Sequence, residues 1–452
     1  MNSRVNSKIP FVGLHAHSVA GSPFDALGYP QEHMDFAYDN GLDAMALTDH
    51  GNANGLAYQV LHAKKMKKEG RDFKPIFGVE AYFIPSVSKW KEEYEEVRAA
   101  AKNKSEYEAD NSGTTVENEE SKKKMKSVLN RRRHLILLAQ NQTGLQNIFK
   151  MISRSYTGDN FYRYPRVDYA MIKKHNEGVI AASACLGGVY AGNYWENRDA
   201  GPDMVLAEMR KTTQKMQSIF GDRWYGELQW NNIPEQHELN QYIIQMHYEM
   251  GVELISTADS HYYNPDVWKD RELYKRLGWL GKGRPDYLSE ELPISVEEVG
   301  YELYPKNGDQ MWESYKKYAS LSKYEYDDAL VLESLENTYK IAHEKIESFL
   351  PDSTVRLPDF VVPEGSTPAQ TLSALCIEGA RNLNLHSRPE YIARLKKEIN
   401  VIDSRGFSKY FLTMKAISDM AVNKQLVGPG RGSAAGSLVS YVLGITQVDP
   451  IK

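Results

Sequence analysis

The sequence predicts an α/β protein, and three observations predict it. Over the first 84 residues short apolar runs alternate with helical stretches in a βαβ rhythm; histidines and acids stand where the apolar runs stop; and 41% hydrophobic with 25% charged residues over 452 positions is the balance of globular domains. Such a rhythm builds a parallel sheet or an α/β barrel, in which functional side chains gather at the carboxyl ends of the strands. The length calls for two or three compact units. Apolar runs such as 135–139 fall far short of the roughly 20 residues that cross a bilayer. The polar start lacks the apolar centre of a secretory signal, so the cytoplasm is the expected compartment. Two cysteines, Cys185 and Cys376, exclude a disulfide framework, and a net charge of -5 leaves any nucleic-acid contact to a local patch.

The elements follow in order. Residues 11–14 read as a strand leading to a His-rich turn, 30–40 as a helix stopped by Gly41, and 44–48 as the next strand. Residues 54–68 are again helical, ended by Gly70, and 75–79 again a strand. At 86–133 the rhythm breaks into a densely charged insertion, read as a solvated helical arm with no core of its own. Its last part (Lys122, Lys123, Lys124, Lys126, Arg131, Arg132, Arg133) contains no acid. A solvated face is one reading of it, and a phosphate-contacting patch beside the site is the other. Strands resume at 135–139, 178–183, 225–229 and 254–258. Beyond about residue 265 long amphipathic stretches such as 334–347 and 389–403 take over. The expected division is a barrel over 1–275, a helical connector over 276–365 and a further domain over 366–452.

His15-Ala16-His17 places two imidazoles on one side of an extended backbone, because side chains alternate with period two. Other strand ends repeat the theme: Asp49-His50 after 44–48, Glu80 after 76–79, Cys185 after 179–184, and Asp259 with His261 after 254–258. In a barrel these ends converge, and imidazole, carboxylate and thiolate together suit zinc, manganese or iron. Clustered metals would activate water and steady charge on a phosphoryl oxygen, so the expected chemistry is phosphoester hydrolysis.

These residues resemble the polymerase and histidinol phosphatase domain family, in the version at the amino terminus of bacterial replicative DNA polymerase III alpha subunits. The likeness lies in 11–18, 46–52, 78–82, 134–139 and 257–262. It implies a distorted (βα) barrel with a trinuclear metal site. Position by position, it implies His15, His17, Asp25, His50, Glu80, His134, Cys185, Asp259 and His261 as ligands. His134 rests on the resemblance alone, because it precedes its apolar run. Some members with the full ligand set are metal-dependent 3′–5′ exonucleases and others keep the domain as structure; the full set here implies the active state.

Near the end, the run from Gly428 to Ser437 offers small residues, a following helix start with free N–H groups, and Arg431 as a bidentate donor, which together suit a triphosphate. With Gly406-Phe407 and Tyr410-Phe411-Leu412, this loop resembles the opening of the α+β polymerase palm of the same subunits. The resemblance implies Gly430, Arg431, Gly432, Ser433, Gly436 and Ser437 at a deoxynucleoside triphosphate, DNA as a partner, and magnesium in the complete polymerase. Lys409, Lys415 and Lys424 nearby read as surface lysines ahead of DNA contacts. In that family the palm aspartates lie beyond Val448-Asp449-Pro450, so this chain is not expected to polymerise DNA alone. It would be one piece of a split polymerase completed by a second polypeptide, or a truncation. The alternatives are a free-standing phosphoesterase like histidinol phosphatase, and an inert scaffold.

Overall fold

A computed structural model describes residues 4–23, 25–110, 127–281, 291–354 and 356–452. They fall into two compact units, 1–352 and 353–452, so the stretch 276–365 expected as a connector is divided between them. No helix among the described residues is long and apolar enough to cross a membrane.

The first unit is built on eight strands: β1 (Ala44–Leu47), β2 (Lys74–Phe83), β3 (Arg133–Ala139), β4 (Phe161–Tyr162), β5 (Tyr164–Val167), β6 (Val179–Ala182), β7 (Trp224–Gln229) and β8 (Glu253–Thr257). The sheet runs β4-β5-β2-β3-β6-β7-β8, with β1 also on β2. Residues 11–17, expected to hold a regular strand, make only isolated bridges: Gly13 to Met45 beside β1, and Ala16 to Ser260 past β8. Those bridges close the ring as a distorted barrel. The expectation of a parallel sheet needs correction, since β3 runs antiparallel to both β2 and β6, and β4 to β5.

Period-two alternation sorts the side chains. Ala44, Ala46, Ile76, Ile136, Leu138, Ile180, Ala182, Tyr225 and Ile255 form one cluster inside the barrel, together with Ile341 and Ala342 from a π-helical turn and Ile346 just after it. The alternate residues Met45, Phe77, Leu135, Leu137, Ala181 and Leu254 face outward and pack under the surrounding helices. Burying both faces of a strand explains the near-continuous apolar runs seen in the sequence. The helix Gln142–Ser155 sits so close that a Cβ on Gly144 would stand 1.8 Å from the Gly178 carbonyl oxygen, which only glycine avoids.

The base of the charged insertion is a second correction. The helix Val87–Asp110 opens with Val87 and Trp90, which pack with Ile84, Val128 and Leu129 into a small core of their own. Arg166 is fully buried, its guanidinium 4.1 Å from the Trp90 ring centroid. Lys122, Lys123, Lys124 and Lys126 lie outside the described residues.

Among the described residues of the second unit all elements are helical. Helices Pro368–Asn382, Pro389–Ser404, Ser408–Val422 and Leu438–Val442 enclose Leu372, Cys376, Leu395, Leu412 and Val439.

Candidate metal centre

All nine candidate ligands come together at one end of the barrel. Glu80, on the inner face of β2, is the hub. Its Oε2 lies 2.8 Å from His15 Nε2 and 3.6 Å from His17 Nε2, and its Oε1 lies 2.7 Å from both His50 Nδ1 and His134 Nδ1. One carboxylate thus serves two pairs of imidazoles. Asp25 Oδ2 lies 2.7 Å from His50 Nε2 and 3.3 Å from His261 Nε2. Asp259 Oδ1 lies 3.1 Å from His15 Nε2 and 3.3 Å from His17 Nε2. Cys185 Sγ is 3.6 Å from His134 Nδ1. Three groups have donor atoms close enough to share an ion: His15 with His17 and Glu80, His50 with Glu80 and His134, and His17 with His50 and His261.

Local folding explains each placement. His134 precedes its apolar run, and because β3 runs antiparallel, its start lies at the end where its neighbours finish. The period that carries Ile136 and Leu138 inward carries His134 with them. Asp25 sits on the loop after His17, and Arg271 anchors it: Nε donates to the Asp25 carbonyl oxygen at 2.9 Å and a terminal nitrogen lies 3.1 Å from Oδ1. Ala184 and Asp259 hold φ near 61° and 47°, backbone strain concentrated beside Cys185 and at a candidate ligand.

The electrostatics fit cations. Burial opposes charge on all these groups. Even so, His134, His50 and His15 hold the Glu80 carboxyl well below its ordinary range, and His15 and His261 do the same for Asp259. Against the same burial, Asp259 and Glu227 raise His15 and Glu80 raises His50, both well above the usual imidazole value. Burial, then Asp259 and Glu80, push the Cys185 thiol well above the ordinary thiol range. Two observations test the fit of a metal directly. Asp259 Oδ1 is buried and, although 3.1 and 3.3 Å from the Nε2 atoms of His15 and His17, makes no well-directed hydrogen bond, and those two Nε2 atoms face each other at 3.1 Å. Imidazole nitrogens and a carboxylate oxygen converging on one point are the donor set that zinc, manganese or iron takes up.

Two supporting residues, Glu227 and Arg271, escaped the sequence reading. Glu227 is fully buried on β7, with Oε1 2.7 Å from His15 Nδ1 and accepting from Thr257 Oγ1 and Gln229 Nε2. It fixes the His15 ring so that Nε2 faces the site. A carboxylate inside the apolar stretch 224–228 was the available signal, since burying one is costly without a partner. Asp49, next to His50, is no ligand here: its carboxylate accepts from the Ser18 amide and from the Ser18 and Ser22 hydroxyls and so ties down the loop after His17.

In the second unit, Gly430, Arg431, Gly432 and Ser433 are exposed. Gly432–Gly436 forms a short 3-10 turn leading to Ser437, which caps the helix Leu438–Val442. The free N–H groups expected at that helix start are already taken. Glu398 accepts from the amides of Leu438 and Val439 and from the Ser437 hydroxyl. Lys409 pairs with Asp359 and Lys415 with Asp419 at the surface.

Comparison with known proteins locates two families. The PHP domain matches residues 13–231, and the bacterial DNA polymerase III alpha NTPase domain matches residues 370–452. A DNA polymerase III subunit alpha from Aquifex aeolicus is 34% identical over 98% of this chain and 34% of its own length; one from Borreliella burgdorferi is 31% identical over 98% and 33%. The chain thus spans about a third of the length of the curated relatives it matches. A solved amidohydrolase from Chromobacterium violaceum overlaps 58% of this chain and 96% of its own, with 13% identity and a TM-score of 0.32.

Proposed function

This chain carries a PHP domain and the sequence of the amino-terminal part of bacterial DNA polymerase III alpha subunits, and on that premise we propose that its barrel is a metal-dependent phosphodiesterase that trims DNA from the 3′ end. The observation that carries the proposal is Glu80, whose two carboxylate oxygens each face two imidazoles. A carboxylate so placed would serve ions held on either side of it. His15, His17 and Asp259 would hold one ion on its Oε2 side; His50, His134 and Cys185 would hold another on its Oε1 side; Asp25 and His261 would complete a third with His17 or His50. When bound, such divalent metals supply Lewis acidity that activates water and neutralises charge on a phosphoryl oxygen. The chain's own part is orientation. Glu227 holds the His15 ring, Arg271 holds Asp25, and Asp49 holds the loop between His17 and Asp25.

For the second unit we propose contact with a deoxynucleoside triphosphate through the exposed loop of Gly430, Arg431 and Gly432, in keeping with the DNA polymerase names of the relatives. Its role in DNA replication, with DNA as partner, belongs to the same proposal.

The test is a time course of 3′-labelled single-stranded DNA with zinc or manganese, run beside His15→Ala and a chelator control, with bound metal measured on the same samples. Stepwise shortening that both the variant and the chelator abolish is expected. A folded chain that takes up no metal would sink the proposal and favour an inert scaffold.

A further inference from the structure

We infer that the edge beside the metal centre built by Tyr82, Arg132, Tyr164 and the hairpin residues Phe161, Tyr162 and Arg163 is a stacking platform that guides single-stranded DNA to the metals and turns duplex away. The inference rests on the phosphodiesterase reading and adds the form of nucleic acid taken and the residues that choose it.

The platform is continuous with the ligands. β5 runs parallel to β2 with Tyr82 opposite Arg166 and Phe83 opposite Val167, a register that sets Tyr164 level with Glu80, so the β4–β5 hairpin flanks the metal end of the barrel. The Tyr82 ring is stacked with His50 at 6.1 Å between centroids and lies 5.6 Å from His134. Tyr164 follows edge-on to Tyr82 at 5.6 Å. Further out, Phe161 and Tyr162 are 43% and 41% exposed, and Tyr156, stacked on Phe161 at 5.4 Å, is 44% exposed. Tyr162, opposite Tyr164, continues the Tyr82 side of the hairpin, and Phe161, opposite Pro165, shows its ring on the other side. Large rings left open to water along one edge, next to the candidate metal centre, are what unpaired bases need, because every base has a face that stacks.

The cations beside these rings are poised for phosphate. Arg131 pairs with Glu93 and Arg133 with Glu196, but among the described residues Arg132 pairs with no carboxylate. Its guanidinium carbon lies 3.8 Å from the Tyr164 centroid and 5.1 Å from that of Tyr82, and its Nε is buried without a partner. Arg163 stands at the turn between the paired Tyr162 and Tyr164 with φ 60°, where glycine would be unstrained. It makes no ion pair among the described residues. A strained arginine kept where glycine fits better marks a side chain with a use. A duplex presents phosphates but keeps its base faces to itself, so rings and guanidinium together select single strands.

Binding to the full chain in chelator tests this, with an oligonucleotide carrying 2-aminopurine at its 3′ end, single-stranded or in blunt duplex. The single strand is expected to bind tenfold or more tighter than the duplex, with stacking quench of the probe. The double variant Phe161→Ala/Tyr162→Ala is expected to weaken single-strand binding about tenfold or more and relieve the quench, while Tyr162→Phe keeps both. Arg163→Gly relaxes the turn, so it is expected to unfold no more readily than the parent yet to bind more weakly, with a salt slope lower by about one. Equal affinity for duplex and single strand, or a double variant that binds and quenches like the parent, overturns the platform. Hydrolysis of bis(p-nitrophenyl) phosphate by the unsubstituted, metal-loaded chain tests the phosphodiesterase reading separately, because that substrate has no base to stack. Its absence beside platform-dependent binding sinks the phosphodiesterase alone, and its presence beside unaltered binding sinks the platform alone.

Discussion

His33 gives the barrel an acid-sensitive point that can be measured apart from the metals. Its side chain is fully buried, its Nε2 hydrogen-bonds to the Leu27 carbonyl oxygen at 2.9 Å, and its Nδ1 has no partner. Burial lowers the imidazole to about 4, whereas in the unfolded chain it titrates near its ordinary value of about 6.5. The sign follows from proton counting. Above pH 6.5 both states are neutral and His33 contributes nothing; as the pH falls from 6.5 toward 4 the unfolded state gains a proton that the folded state refuses, and stability is lost. At pH 5 the two titration factors differ about 30-fold, a loss of about 2 kcal/mol relative to pH 7.5. The perturbation is His33→Gln, which keeps an amide donor for Leu27 and does not titrate. The assay is urea unfolding in chelator from pH 7.5 to 5.0, followed by tryptophan emission; all seven tryptophans precede residue 313, so the signal reports the first unit alone. The gap between parent and variant should shift by about 2 kcal/mol toward the variant on acidification. Parallel pH profiles would refute the reasoning.

Three further outcomes are expected. Glu80→Gln removes the bridging charge, and metal analysis should show at least one ion fewer per chain, with hydrolysis reduced to background. Glu227→Gln leaves the ligands intact but loosens His15, so competition with a chelating dye should show metal affinity lowered about 10- to 100-fold in a chain that unfolds near the parent's midpoint. Gly144→Ala drives a methyl into the Gly178 carbonyl oxygen and should cost about 3 kcal/mol in the same urea assay, with no change in metal content per folded chain.

Much of the barrel was legible because its signals are local. Apolar runs bounded by glycines placed β1, β6, β7 and β8 to within a residue or two, and period two paired His15 with His17, whereas Asp259 meets His261 across a left-handed turn at Asp259 and not by strand alternation. What escaped depends on neighbours far apart in sequence. The direction of β3 cannot be read from its own residues, so His134 looked misplaced until β2 and β6 were seen on either side of it. Glu227 acts through a histidine 212 positions away. The core under the insertion joins Val87 and Trp90 to Val128 and Leu129 across a charged stretch that hides it from any window of composition. Glu398 at the start of Leu438–Val442 is a similar case, a cap supplied by another helix.

The reversed strand has one more consequence. A parallel neighbour must be reached by carrying the chain back across the whole barrel, but β2 and β3 both have their joined ends at the metal mouth, so residues 84–132 leave and re-enter at the same rim. Closing such a loop grows harder only with the logarithm of its length. This rim can therefore lengthen or shorten without moving any ligand, which makes it the part of the barrel freest to be retailored to a new substrate while the chemistry beneath is kept.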